Sequence, residues 1–212
     1  MRNYSRVLDM PSATSRVAYV EPAAVAGTFG AVAVQRDSFV SAAHQVLVVR
    51  TTCVAREGAS GAGSAPCAMN SSAVLARLVR GNASARLERG GGASGGGVCW
   101  LTMLGRVREK GGLHFAVCAA LTAEQGGDSG GGAHLAVDGA SCVARGASAT
   151  TVILAIVSSF RAGNPEASCA RAVRRAAALP YDAVSASRLK FYRYMSCESS
   201  SQCHSLPNIV IH

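Results

Sequence analysis

The sequence predicts an all-β fold with a C-terminal α-helix, and three observations point there. Apolar stretches are short: Ala23 to Val34 and Thr151 to Val157 read as buried strands, and Phe39-Val40-Ser41-Ala42-Ala43-His44 reads as a strand ending in two small residues and a histidine. Aromatic content is 5% and charged content 16%, so the core must be built from Val, Ala, Leu and Ile. Helical spacing falls near the end, where Arg174 to Tyr194 repeats apolar residues at Ala176, Ala177, Leu179, Val184 and Leu189, with Pro180 expected to kink or restart the helix. At 212 residues the chain can form one large domain or two small ones. No apolar run approaches the roughly 18 residues of a membrane span.

The formal net charge is +9, from 21 Lys+Arg against 12 Asp+Glu. Basic residues without interleaved aromatics argue against a nucleic-acid module. Two readings stay open: a solvated basic surface, or salt-sensitive attraction to an acidic polysaccharide or membrane surface. Eight cysteines without a CxxC pair fit disulfides better than zinc. Asn3-Tyr4-Ser5, Asn70-Ser71-Ser72 and Asn82-Ala83-Ser84 are glycosylation sequons. Met1 to Ser15 contains no apolar signal core, yet the cysteines favour a secretory protein.

The chemically most suggestive stretch is Gly126-Gly127-Asp128-Ser129-Gly130-Gly131-Gly132. Glycines on both sides of a serine let the backbone take positive φ and admit a substrate close to the main chain, as an exposed nucleophile requires. A flexible Gly/Ser loop is the alternative, since Gly90-Gly91-Gly92 and Gly95-Gly96-Gly97 are also present. Upstream, Val40 to His44 resembles the histidine segment of the trypsin/chymotrypsin-like serine proteases, and Gly127 to Gly131 resembles their serine segment. Cys99-Trp100-Leu101-Thr102 is similar to the cysteine-led strand that enters that family's second barrel, and Ile153 to Phe160 to the strand lining its substrate cleft. Ser15 to Val20 and Asn164 to Val173 resemble the granule-stored branch of granzymes, cathepsin G and chymases.

That resemblance implies two abbreviated antiparallel β-barrels, about 15–95 and about 96–173, then a helix over about 174–191. Residues 1–14 would be an atypical N-terminal segment and 192–212 a tail. It implies acyl transfer at a peptide bond, with Ser129 as nucleophile, His44 as proton carrier, and the amides of Gly127 and Ser129 as the oxyanion hole. Asp128 would be the activation-pocket acid, although the Ile/Val-Gly-Gly start that should pair with it is not found in residues 1 to 16. Ser71 stands where the third catalytic acid belongs; Glu88 is the nearest substitute, though it also reads as a surface charge. Ala123 falls at the base of the implied specificity pocket, with Ser158, Phe160 and Glu166 as further substrate contacts; a shift of one residue would put Ala167 in place of Glu166.

The expected function is therefore a serine endopeptidase impaired by the missing acid, acting on a peptide or protein substrate without cofactor or metal. The alternative is a non-catalytic homologue that binds acidic polysaccharide or a protein partner. Family resemblance places it outside the cell or in a secretory granule. It also implies a Cys99–Cys142 bridge and leaves Cys118 without its usual partner; Cys53 and Cys67 are read separately as closing a small-residue loop. His114 and His134 read as surface or core histidines, and His204 and His212 as tail residues.

Overall fold

The computed structural model describes residues 2–21, 32–55, 69–74, 81–88, 97–107, 112–125 and 133–198. The strands are β1 (Arg2–Asp9), β2 (Thr14–Glu21), β3 (Val32–Ser41), β4 (Val46–Ala55), β5 (Met69–Val74), β6 (Gly81–Glu88), β7 (Val98–Arg106), β8 (His114–Gln125), β9 (His134–Asp138) and β10 (Ser141–Ser158); the helices are α1 (Pro165–Ala177) and α2 (Tyr181–Glu198). The all-β expectation holds at the level of class. Two closed barrels do not form.

Among the described residues, the ten strands belong to one open antiparallel sheet, ordered β1-β2-β3-β4-β10-β8-β7-β6, with β5 and β9 off this path and paired to β10. Strands assigned by resemblance to separate barrels are direct neighbours, since Leu47 to Thr52 of β4 pair with Leu154 to Ala149 of β10. In the β10 segment Thr151 to Val157, Thr151, Ile153 and Ala155 are buried on the helix side, Val152 and Leu154 are partly buried against the other face, and Ile156 is 67% exposed.

β10 changes layers part-way along its length. Ser141 to Ala147 pairs with β5, and Ser141 to Arg145 with β9, whereas Ala149 to Leu154 pairs with β4 and Ala147 to Ser158 with β8. Register shifts fall between Ala144 and Ala147 and between Ala147 and Ala149, and Gly146 between them has φ 66°. A left-handed residue in a bulge bends the strand, and glycine adopts it without a Cβ clash. The Gly146 N–H donates to Asn70 Oδ1 at 3.2 Å, which uses the donor the bulge frees.

Two cores result, one on each face of the sheet. Ala116, Cys118 and Ala120 of β8 join Phe39, Val46, Val48, Ile153 and Ala155 beneath α1 and α2. The alternate residues Ala119 and Leu121 join Cys99, Leu101, Leu135, Cys142 and Ala144 under the second layer. Cys99 and Cys142 form a disulfide with their Cα atoms 5.9 Å apart, tying β7 to the early part of β10. Cys53 is also disulfide-bonded, while Cys67, its expected partner, lies outside the described residues.

The described C-terminal residues form two helices, and the first begins at Pro165, inside the stretch that the resemblance assigned to the second barrel. Asn164 caps it by accepting from the Ala167 N–H at 3.0 Å, Pro165 occupies the first turn, and Cys169, Val173, Ala176 and Ala177 form its buried face. That i, i+4, i+7, i+8 spacing is a helical signal that the resemblance hid. α1 ends before Pro180, and α2 starts again at Tyr181. Among the described residues, no helix is long and apolar enough to cross a membrane.

Candidate functional site

Where α1 hands over to α2, the helices leave part of the sheet uncovered, and a cleft of about 260 Å³ opens there. Its floor comes from three adjacent strands. Alternation along β4 puts Val46, Val48 and Arg50 on the helix side, and alternation along β8 puts Ala120, Thr122 and Glu124 on the same side. Thr151 of β10 is the register partner of both Arg50 and Thr122, so these polar side chains share one rung across the sheet. Leu179, Pro180, Tyr181 and Asp182 form the opposite wall.

The floor is a charge-paired network. Arg50 Nη1 and Nη2 each donate to one oxygen of Glu124 at 2.6 Å, and Nη1 also reaches Thr151 Oγ1 at 3.3 Å. The hydrogen bonds to Glu124 hold the Arg50 guanidinium above its ordinary pKa. The same guanidinium carbon lies 4.6 Å from the centroid of the Tyr181 ring, a cation–π contact that completes a stack of carboxylate, guanidinium and phenol. Tyr181 meets Phe39 edge-on at 5.9 Å, and burial raises its phenol pKa. Glu124 stays 42% exposed in its side chain against 18% for Arg50, so a carboxylate fixed from below still presents lone pairs to the opening.

Among the described residues, none of those expected for a protease site lines this cleft. His44 sits in the turn between β3 and β4, beside Gln45 at φ 57°, and Gly127, Asp128 and Ser129 lie outside the described residues. Gln125, the last described residue before them, pairs with Ala147, whereas the turn carrying His44 lies at the level of Ala155. Ser71 is not beside His44 either. It lies on β5, where its hydroxyl donates to Thr150 at 3.3 Å.

The implied substrate contacts are scattered as well. Ala123 packs against the core under the second layer, Ser158 ends β10 opposite Phe115, Phe160 is 87% exposed on the turn before α1, and Glu166 is exposed in the first turn of α1. Glu88 is on β6, and His114 and His134 are exposed at strand starts. Arg50, Glu124 and Tyr181 were not anticipated. The available signal was a cation and an anion, each on the buried side of a strand that is otherwise apolar there.

An open sheet that bends back over itself and carries a polar cleft is not protease architecture; it is a sandwich-type β module. Residues 1–163 match the family described as glycosyl hydrolase family 65, N-terminal domain. This is most of the chain, and the chain belongs to that family. The match overturns the resemblance to trypsin-like proteases, and with it the serine endopeptidase, the protease homologue and the peptide substrate. The segments that suggested them are a strand end with its turn, a glycine-rich connection and a central strand, which many β proteins share. No curated protein matches the chain.

Proposed function

We propose that this chain is a carbohydrate-handling module of a glycoside hydrolase and contacts saccharide at the Arg50–Glu124–Tyr181 cleft. The observation that carries this reading is the family match over residues 1–163. The cleft chemistry supports a binding role. Saccharide hydroxyls need acceptors and donors fixed in direction; Arg50, Thr151 and Thr122 share one rung of the sheet, and Glu124, two residues along from Thr122, is held to it by Arg50. Hydrolysis of a glycosidic bond instead uses two carboxyl groups about 5 to 9.5 Å apart with distinct roles. Here both Glu124 oxygens are committed to Arg50, an arrangement suited to orientation rather than proton transfer. The basic surface, net +9, would add attraction to acidic saccharides. The Cys99–Cys142 bridge fits an oxidising compartment outside the cytosol.

Calorimetric titration with neutral oligosaccharides and with heparin tests this. Saccharide binding that weakens about tenfold in Glu124→Gln, as expected when a charged hydrogen-bond partner is lost, supports the reading. Absence of binding to every saccharide, or equal binding by wild type and Glu124→Gln, removes the cleft from it.

A further inference from the structure

Two cysteines meet under α1. Cys118 lies on the helix-facing side of β8 and Cys169 on the buried side of α1, with relative exposures of 3% and 0%. Cys169 Sγ is 3.2 Å from the carbonyl oxygen of Ala155, the register partner of Cys118, and 3.5 Å from that of Ala116, the next residue on the same face of β8. Each thiol is the largest influence on the other's acidity, which is lowered in pKa for Cys118 and raised for Cys169. Elsewhere this contact is built from small apolar side chains, Ala116 and Ala120 on the strand, Val173 and Ala176 on the helix. A buried cysteine alone serves as a small hydrophobe. Two that face each other across a helix–strand interface, in a chain that closes a disulfide on the other side of the same sheet, are placed to react together.

We propose that Cys118 and Cys169 are a redox-active dithiol that closes to a disulfide and fastens α1 to the middle of the sheet. The inference is independent of the saccharide reading. With glutathione disulfide as oxidant, one cysteine thiolate attacks a glutathione sulfur, forming a mixed disulfide and releasing one glutathione thiolate. The second cysteine, as thiolate, then displaces the other glutathione. Two protein thiols and one glutathione disulfide become one protein disulfide and two glutathione thiols; the protein sulfurs are oxidised, glutathione is reduced, and the two cysteine protons end on glutathione. Because both sulfurs are buried, reaction proceeds when α1 lifts locally. Closure then opposes that same motion. α1 begins just past the family match at residue 163, so the bond would covalently join the C-terminal helices to the sheet that the match covers.

Peptide mapping of the full chain equilibrated with glutathione disulfide tests this. Trypsin leaves Cys118 and Cys142 on one peptide, so cleavage after Glu124 is needed to separate them. The expected result is a Cys118–Cys169 cross-link alongside Cys99–Cys142. Amide exchange in residues 165–177 should be about tenfold slower in the oxidised than in the reduced protein, a redox dependence absent from Cys118→Ala. Full alkylation of Cys118 and Cys169 while Cys99–Cys142 stays linked overturns the proposal. Redox changes in α1 exchange that are equal in wild type and Cys118→Ala overturn it too. The peptide map needs only the wild-type chain, so it decides even if the variant does not fold.

Discussion

The two faces of the central sheet are held by different means. On one, α1 and α2 cover Phe39, Val46, Val48 and Ile153 with their own buried residues Val173, Ala176 and Val184. On the other, the covering strands β5 and β9 are 6 and 5 residues long, and the disulfide Cys99–Cys142 supplements Leu101, Leu121 and Leu135. Short strands expose backbone edges and bury little apolar area, so a covering layer of this size gains from a covalent tie. A helical layer satisfies its own backbone and can rest on side-chain burial alone. The contrast shows where each layer is vulnerable, to bond cleavage on one side and to cavities on the other.

The largest expected effect comes from removing the tie. Cys142→Ala should cost about 4 kcal/mol, the chain-entropy value for a cross-link between residues 43 apart. Urea unfolding of wild type and variant measures it, and a loss no greater than that of an ordinary surface substitution would erase the distinction between the faces. Leu101→Ala, which opens a cavity beneath the tied layer, should cost about 3 kcal/mol. Val173→Ala, its counterpart under the helices, removes less volume and should cost about 2 kcal/mol. Gly146→Ala acts on the hinge between the layers. A Cβ at φ 66° costs about 1.5 kcal/mol, seen as a lower urea midpoint with an unchanged slope.

Much of this contrast was legible in the residues, and part was masked. The apolar run from Thr151 to Val157 marked a strand whose Thr151, Ile153 and Ala155 are buried, and the low aromatic content implied a core built mostly from Val, Ala, Leu and Ile, as Val48, Ala119, Leu121 and Ile153 show. What could not be read was topology. β10 pairs with partners from 46–55 to 134–138 in sequence, and local pattern says nothing about which distant strand supplies the next hydrogen bonds. Short motifs filled that gap misleadingly, because a glycine-flanked serine or a histidine after a strand is only a few residues and occurs by chance in chains without catalysis. The cleft was missed for a related reason. Arg50 and Glu124 are 74 residues apart, and their pairing follows from strand order alone.

The smallest expected effect concerns the helical layer and separates local fraying from loss of the layer. Asn164 Oδ1 is bonded to the Ala167 N–H at 3.0 Å, and Glu166 and the pair Arg174, Arg175 complement the two ends of the α1 dipole. Asn164→Ala should therefore cost about 1 kcal/mol, Asn164→Gly only a few tenths, and Asn164→Ser should restore most of the difference. If burial of Cys169, Val173 and Ala176 is what seats the helix, the loss appears as faster amide exchange in residues 165–168, while residues 173–177 and strand β9 keep wild-type protection. Exchange that accelerates through the whole of α1 would mean that the cap, rather than the buried face, keeps this layer in place.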